Sequence, residues 1–345
     1  MPFVDISPWI LSLLLAPFGL ILGSFGNVLI HRLPQEDPAE RNLNKASHCP
    51  SCKMRISRWH NLPIFAWLWL RGRCAACGWR IPVRYPVVEL LTGLLLTTSP
   101  WIFPFGSLIW LKGIICGYAL IMLFFTDLTT MILPDVIQFP LMALGVSFTL
   151  PQIFYPEALM KVWTSSGDIL QVLAFHNGLQ PAAAYHHFEP TVTWQQSLAG
   201  LIMGYGGPWA FERIYVFVRN AIVANIGGRS IEAGMGMGDF KMLAWLGAFW
   251  GCGPMLQILG IGAALGLFLG VPLSIASRAI KLPRVCRTLN AWKKPMQGVY
   301  CWWFRAGILN QMLPFGCFLA LATLVVVFFG RTLWLGYLGH LVWAG

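Results

Sequence analysis

Charge is scarce in this chain of 345 residues: Asp, Glu, Lys and Arg together make up 11% of it, against 57% hydrophobic residues. A fold of this size in water needs a more charged surface, so a soluble globular protein is excluded. The polar-in, apolar-out alternation of a membrane barrel is missing as well, which leaves helices as the spanning element. No Lys or Arg precedes Arg32, so the first apolar run lacks the basic flank of a removable signal peptide and reads as a permanent span. Two catalytic signatures are absent: there is no Gly-x-Ser-x-Gly elbow and no His-Glu-x-x-His helix. Serine and zinc hydrolase mechanisms therefore lack their usual residues.

What the chain has instead is apolar runs of roughly 20 residues, each long enough for about 30 Å of hydrocarbon. Eight are read, near 9–30, 86–104, 107–126, 132–150, 196–218, 239–253, 255–277 and 312–330. The basic residues orient them. Segment 31–85 holds ten Lys/Arg, 213–241 four and 278–306 seven, together 21 of the 24. Eight spans put all three segments on one side, which the positive-inside rule makes cytoplasmic. The net charge of +11 is then topology plus attraction to lipid head groups, and no nucleic-acid partner is expected. The fold class is an all-α polytopic membrane protein of about eight transmembrane helices, with a small cytoplasmic domain inserted after the first. Its parts are a first transmembrane helix (1–30), the cytoplasmic domain (31–85), helices 2–4 (86–150), an external loop (151–195) and helices 5–8 (196–345). Within the last part, the basic cytoplasmic loop 278–306 contains Trp292, Trp302 and Trp303 and suits the membrane interface.

Four of nine cysteines stand as Cys49-Pro-Ser-Cys52 and Cys74-Ala-Ala-Cys77. Two such pairs supply four thiolates that converge tetrahedrally on one Zn²⁺. Two disulfides are the competing reading, disfavoured in a reducing cytoplasm. A closed four-cysteine site leaves no open coordination position, so the zinc is structural. Cys116, Cys252, Cys286, Cys301 and Cys317 are scattered and read as packing residues.

Carboxylates at span ends are the rarest feature. Asp127 ends the run Leu123-Phe-Phe-Thr126, and Asp239 closes Gly234-Met-Gly-Met-Gly238 just before another apolar run. The topology drawn from charge puts both near the cytoplasmic face. Two close carboxyl groups cannot both ionise cheaply and share a proton. The ionised member can take a proton from an attacking water while the other protonates the carbonyl oxygen of a peptide bond. Singly, Asp239 also suits a helix N-cap and Asp127 a polar membrane boundary. Asp135, after Leu133-Pro134, is read as marking the start of the fourth span.

These residues resemble the bacterial prepilin peptidases, membrane aspartyl proteases with a Gly-x-Gly-Asp signature. The likeness runs through Gly23-Ser-Phe-Gly-Asn27-Val, Arg32-Leu-Pro34, the Cys pairs and Arg84-Tyr-Pro-Val-Val-Glu89-Leu-Leu-Thr-Gly93. It continues in Asp127 to Leu-Pro-Asp135, Gly236-Met-Gly-Asp239-Phe-Lys and Leu313-Pro-Phe-Gly316-Cys-Phe-Leu-Ala320. It implies removal of the basic leader of type IV prepilins or type II secretion pseudopilins at the cytoplasmic face of the bacterial inner membrane. Asp127 and Asp239 fall on the family's catalytic aspartates. The resemblance also implies N-methylation of the new N-terminus with S-adenosylmethionine, a second activity favoured by the four cysteines, Glu89 and Gly93. A peptidase without methylation, or a membrane scaffold of a secretion or pilus assembly, is the alternative. The chain departs from the family in its long external segment, with His176, His186 and His187, and in Cys317, where relatives usually have Pro. Glu36, Asp37 and Glu40 form the acidic cluster after the first span. They read as a solvated loop, with reception of a basic leader as the sharper alternative.

Overall fold

The computed structural model describes residues 7–150 apart from 58 and 104, together with 192–224, 235–270, 272 and 314–327. Most of the external loop 151–195 and all of the basic loop 278–306 lie outside the described residues. Among those described, the structure is helical, and the extended backbone is limited to two isolated bridges.

The long helices are α1 (Pro8–Arg32), α4 (Arg84–Ile102), α5 (Leu108–Thr130), α6 (Asp135–Ser147) and α7 (Trp194–Ala224). After them come α8 (Met237–Trp250), α9 (Cys252–Leu265, continued by a π turn at Gly266–Gly270) and α10 (Phe315–Val327). Two short helices, α2 (Pro38–Arg41) and α3 (Phe65–Trp69), lie in the insert between α1 and α4. Each of the eight apolar runs overlaps one long helix among the described residues, and the runs 255–277 and 312–330 also extend beyond those residues. Three stretches are long and apolar enough to cross a membrane, Pro8–Arg32, Ile109–Thr130 and Cys252–Gly270; α6 and α10 are shorter apolar helices.

The packing is that of membrane helices, with large apolar groups outside and small ones between. On α1, Trp9, Leu13, Phe18 and Ile21 are exposed, while Gly19, Gly23, Gly26 and Asn27 are buried. A Cβ on Gly23 would lie 2.6 Å from Cα of Glu89, and one on Gly19 would lie 2.8 Å from Cα of Gly93. The backbones of α1 and α4 therefore touch, as small residues allow in a medium without a hydrophobic drive between helices. Gly200 of α7 and Gly247 of α8 meet in the same way, backbone against backbone.

α8 is the centre of the described helices. From Met242 to Trp250 every residue is buried, and it packs against α6, α7 and α9. A helix apolar on all sides belongs inside a bundle. Trp245 and Phe249 anchor a core shared with Leu120 and Leu123 of α5, Leu141 of α6, Ile258 of α9 and Leu319 of α10. Its far end is held by Lys112, 4% exposed, whose Nζ donates to the Phe249 carbonyl at 2.7 Å. The ammonium lies 5.2 Å from the Trp250 ring centroid and 5.9 Å from those of Phe148 and Phe249. A cation here satisfies an orphan carbonyl and the negative end of the helix dipole.

Candidate active site

Asp127 lies in the last turn of α5 and Asp239 in the first turn of α8; they are 4% and 8% exposed. Though far apart in sequence, they come within electrostatic reach of one another. Three elements build the meeting point. The first is the N-terminus of α10, where the Cys317 amide donates to Asp127 Oδ2 at 3.0 Å and the Gly316 amide faces the same carboxylate. A helix N-terminus has amides without helical partners, and a carboxylate is a natural acceptor for them.

The second element is the short link between α5 and α6. Met131 takes the left-handed conformation at φ 55° and donates its amide to the Asp127 carbonyl at 2.8 Å, ending α5. Leu133 follows as a wedge. Its side chain lies where a Cβ on Gly238 would sit, 2.8 Å from its own Cβ, and 3.1 Å from where a Cβ on Gly316 would be. One leucine therefore touches the backbone beside both aspartates. The buried Gln138 fixes it by donating Nε2 to the Leu133 carbonyl at 3.2 Å.

The third element is an ion pair, Lys241 Nζ to Asp135 Oδ1 at 2.6 Å, with Lys241 over the Phe139 ring. It ties the first turn of α6 to α8 two residues past Asp239. The glycine-rich approach to α8 is secured by the Met235 amide, which donates to Glu212 Oε1 of α7 at 3.1 Å. Asp135 opens α6, as expected, and its carboxylate has the further task of this pair. Cys317, expected as a packing residue, is buried and in addition puts its amide on Asp127 and its thiol on the Phe124 carbonyl at 3.2 Å. Only its place in the Pro-Phe-Gly-Cys block could have signalled that.

Cys49, Cys52, Cys74 and Cys77 are free thiols whose Sγ atoms all lie within 4.8 Å of one another. The Cys49 and Cys77 sulfurs are 3.9 Å apart, near the edge of about 3.8 Å of a tetrahedron with 2.3 Å metal–sulfur bonds. The two pairs are built alike. Cys49 donates its amide to the Met54 carbonyl at 2.9 Å, and Cys74 donates to the Trp79 carbonyl at 2.8 Å. Lys53 and Gly78, both at positive φ, return amides to the Cys49 and Cys74 carbonyls. Amides of Cys77 and Ala76 hold the Cys74 thiol down at about 7, while burial and the neighbouring cysteines push Cys52 in the same cluster up to about 11. The cluster could hold a metal ion.

Glu89 and Gly93 part company. Glu89 is buried and reaches out of α4 to the insert, accepting from the Ile64 amide at 2.7 Å through Oε2. Gly93 sits at the α1–α4 crossing, where a Cβ would meet Leu20 at 2.8 Å. In the acidic cluster, Asp37 caps α2 by accepting from Ala39, and Glu40 pairs with Lys45 at 2.9 Å.

Two family descriptions match the chain: the bacterial peptidase A24 N-terminal domain over residues 18–103, and the type IV leader peptidase family over 114–271. Among curated relatives, the prepilin leader peptidase/N-methyltransferase of Neisseria gonorrhoeae is 30% identical, over 76% of this chain and 82% of the relative. A protein so named from Dickeya chrysanthemi is 32% identical, over 75% and 81%. One from Xanthomonas campestris is 29% identical over 98% of both chains. No solved structure matches.

Proposed function

The chain belongs to the type IV leader peptidase family, and from that premise we propose that it removes prepilin leaders and N-methylates the new N-terminus, with Asp127 and Asp239 as the peptidase pair. The observation that carries the reading is that two buried carboxyl groups, one from α5 and one from α8, come within electrostatic reach of one another. The pair shares a proton: one member accepts the proton of the attacking water and the other donates to the scissile carbonyl oxygen. The Cys317 amide at the N-terminus of α10 holds Oδ2 of Asp127 in place. Gly236 keeps a side chain away from the approach to Asp239, where a substrate strand would lie, whereas the space beside Gly238 is taken by Leu133.

Around this centre the reading has further parts. Eight transmembrane helices hold the site in a bacterial inner membrane, with the aspartates at the cytoplasmic face and the basic segments beside them. A prepilin's apolar helix enters from the bilayer, and its basic leader stays at the surface; pseudopilins of type II secretion are substrates of the same chemistry. The four cysteines hold a structural Zn²⁺, whose closed tetrahedral shell stiffens the insert and takes no part in hydrolysis. S-adenosylmethionine supplies an electrophilic methyl group for the amine that cleavage exposes. Wild-type membranes given a type IV prepilin and that donor are the test. Mass spectrometry will find the leader lost and one methyl gained at the new N-terminus; an intact prepilin would refute the proposal.

A further inference from the structure

A cavity of ≈ 450 Å³ opens between the cysteine-bearing insert and the adjoining ends of α1 and α4. That lies within the range of about 300–1,000 Å³ usual for small-molecule sites. It contains neither aspartate, so it is a second place, apart from the hydrolytic centre. On its wall Asn27 is 3% exposed; its Nδ2 donates to the Tyr85 carbonyl at 3.0 Å and its Oδ1 has no partner. A buried acceptor left unmatched is costly, and in a cavity wall it calls for a donor on whatever fills the space.

The rest of the lining narrows the class of occupant. Glu89 contributes a carboxylate held by the Ile64 amide, and Lys53 and Arg55 contribute cations. Both signs of charge suit a zwitterion. Trp67 and Tyr85 add aromatic surface, and the Trp67 ring is fixed by its Nε1 donating to the Ile81 carbonyl at 3.2 Å. A flat heterocycle packs well on such rings. A basic leader peptide suits it poorly, because Glu40, the other acid in the lining, is already paired with Lys45.

We propose that this cavity binds the methyl donor, a zwitterionic sulfonium nucleoside, with Asn27 Oδ1 accepting a hydrogen bond from it and Glu89 facing its positive charge. The inference rests on the methyltransferase reading above and adds the place. It also separates the two residues singled out with that activity: Glu89 lines the cavity, whereas Gly93 lies outside it and serves the α1–α4 contact.

The test uses the whole protein in detergent, titrated with S-adenosylhomocysteine as an unreactive probe and followed by calorimetry and hydrogen exchange. Binding is expected, with exchange protection in 47–57 and 59–67, the loops that close the cavity. Asn27→Leu and Glu89→Gln are each expected to weaken it about tenfold or more, the effect of one lost polar contact. Melting temperature without the probe controls for folding. Should a variant not fold, protection in the wild type decides the matter. Binding with protection elsewhere, for instance over 235–250, would overturn the location and leave the methyltransferase reading standing. No binding, together with a cleaved pilin that carries no methyl group, would overturn both.

Discussion

Gly238→Ala puts one methyl group where the geometry leaves no room for it. The new Cβ would stand 2.8 Å from Leu133 Cβ, 3.2 Å from its Cδ1 and 3.4 Å from its Cγ. Carbon atoms settle at about 3.5–4.0 Å, so Leu133 must give way by roughly 0.7–1.2 Å. Its retreat is limited on one side, because its Cδ1 lies 3.1 Å from where a Cβ on Gly316 would stand, beside Asp127. The strain is about 1–3 kcal/mol, as for other overpacked sites, and part of it is relieved by moving α8 and Asp239 away from Asp127. A displacement near 1 Å of a reacting group costs about 100-fold in rate. We expect Gly238→Ala to lower kcat for prepilin cleavage by about that factor with KM little changed. Adding Leu133→Gly, which removes the Cβ at 2.8 Å together with the atoms beyond it, makes space for the methyl group and is expected to restore part of the rate. Steady-state cleavage with a detergent-solubilised prepilin measures both. If Gly238→Ala cleaves at the wild-type rate, or if Leu133→Gly fails to help it, the wedge does not set the aspartates' spacing.

Three other predictions follow from contacts farther out. Lys112→Leu leaves the Phe249 carbonyl without its donor, so it should cost about 1–3 kcal/mol, read as a lower melting temperature. Lys241→Met breaks the partly exposed pair with Asp135, so we expect a small stability loss, about 1 kcal/mol or less, and a severalfold lower cleavage rate. A normal rate would mean that the tie does not place Asp239. Removing metal from the cysteine cluster with a strong chelator should loosen the insert, because a bound structural metal contributes folding energy outright. Since Cys49 and Cys74 also line the cavity, S-adenosylhomocysteine binding should vanish with it; calorimetry on the metal-free protein checks this.

Some of this was legible in the sequence because it depends on local or periodic signals. Each apolar run overlaps a helix among the described residues, since length and hydropathy are written residue by residue, and three of those stretches are long and apolar enough to cross a membrane. The Cys pairs announced a cluster because two residues between cysteines suffice to form a knuckle. Asp127 and Asp239 were brought to one side by counting basic residues between spans, a global rule that needs no contact. What stayed hidden depends on partners far away in the chain. Lys112 stands as one charge inside an apolar run, and its partner is a carbonyl 137 residues on. Cys317 meets Asp127 across 190 residues, and no pattern in either segment implies the other. Leu133 is one leucine among many until Gly238 is packed against it. The cavity has no linear signature at all, because Asn27, Trp67 and Glu89 belong to three separate stretches.

The central claim is that Asp127 and Asp239 act as one unit. It is tested most directly by prepilin cleavage with Asp127→Asn, Asp239→Asn and the double variant, each shown to be inserted in the membrane. Groups that work as a unit lose their effect together, so both single variants and the double should fall to the same background rate. A single variant that still cleaves near the normal rate, or a double variant slower than both by the product of their effects, would contradict it.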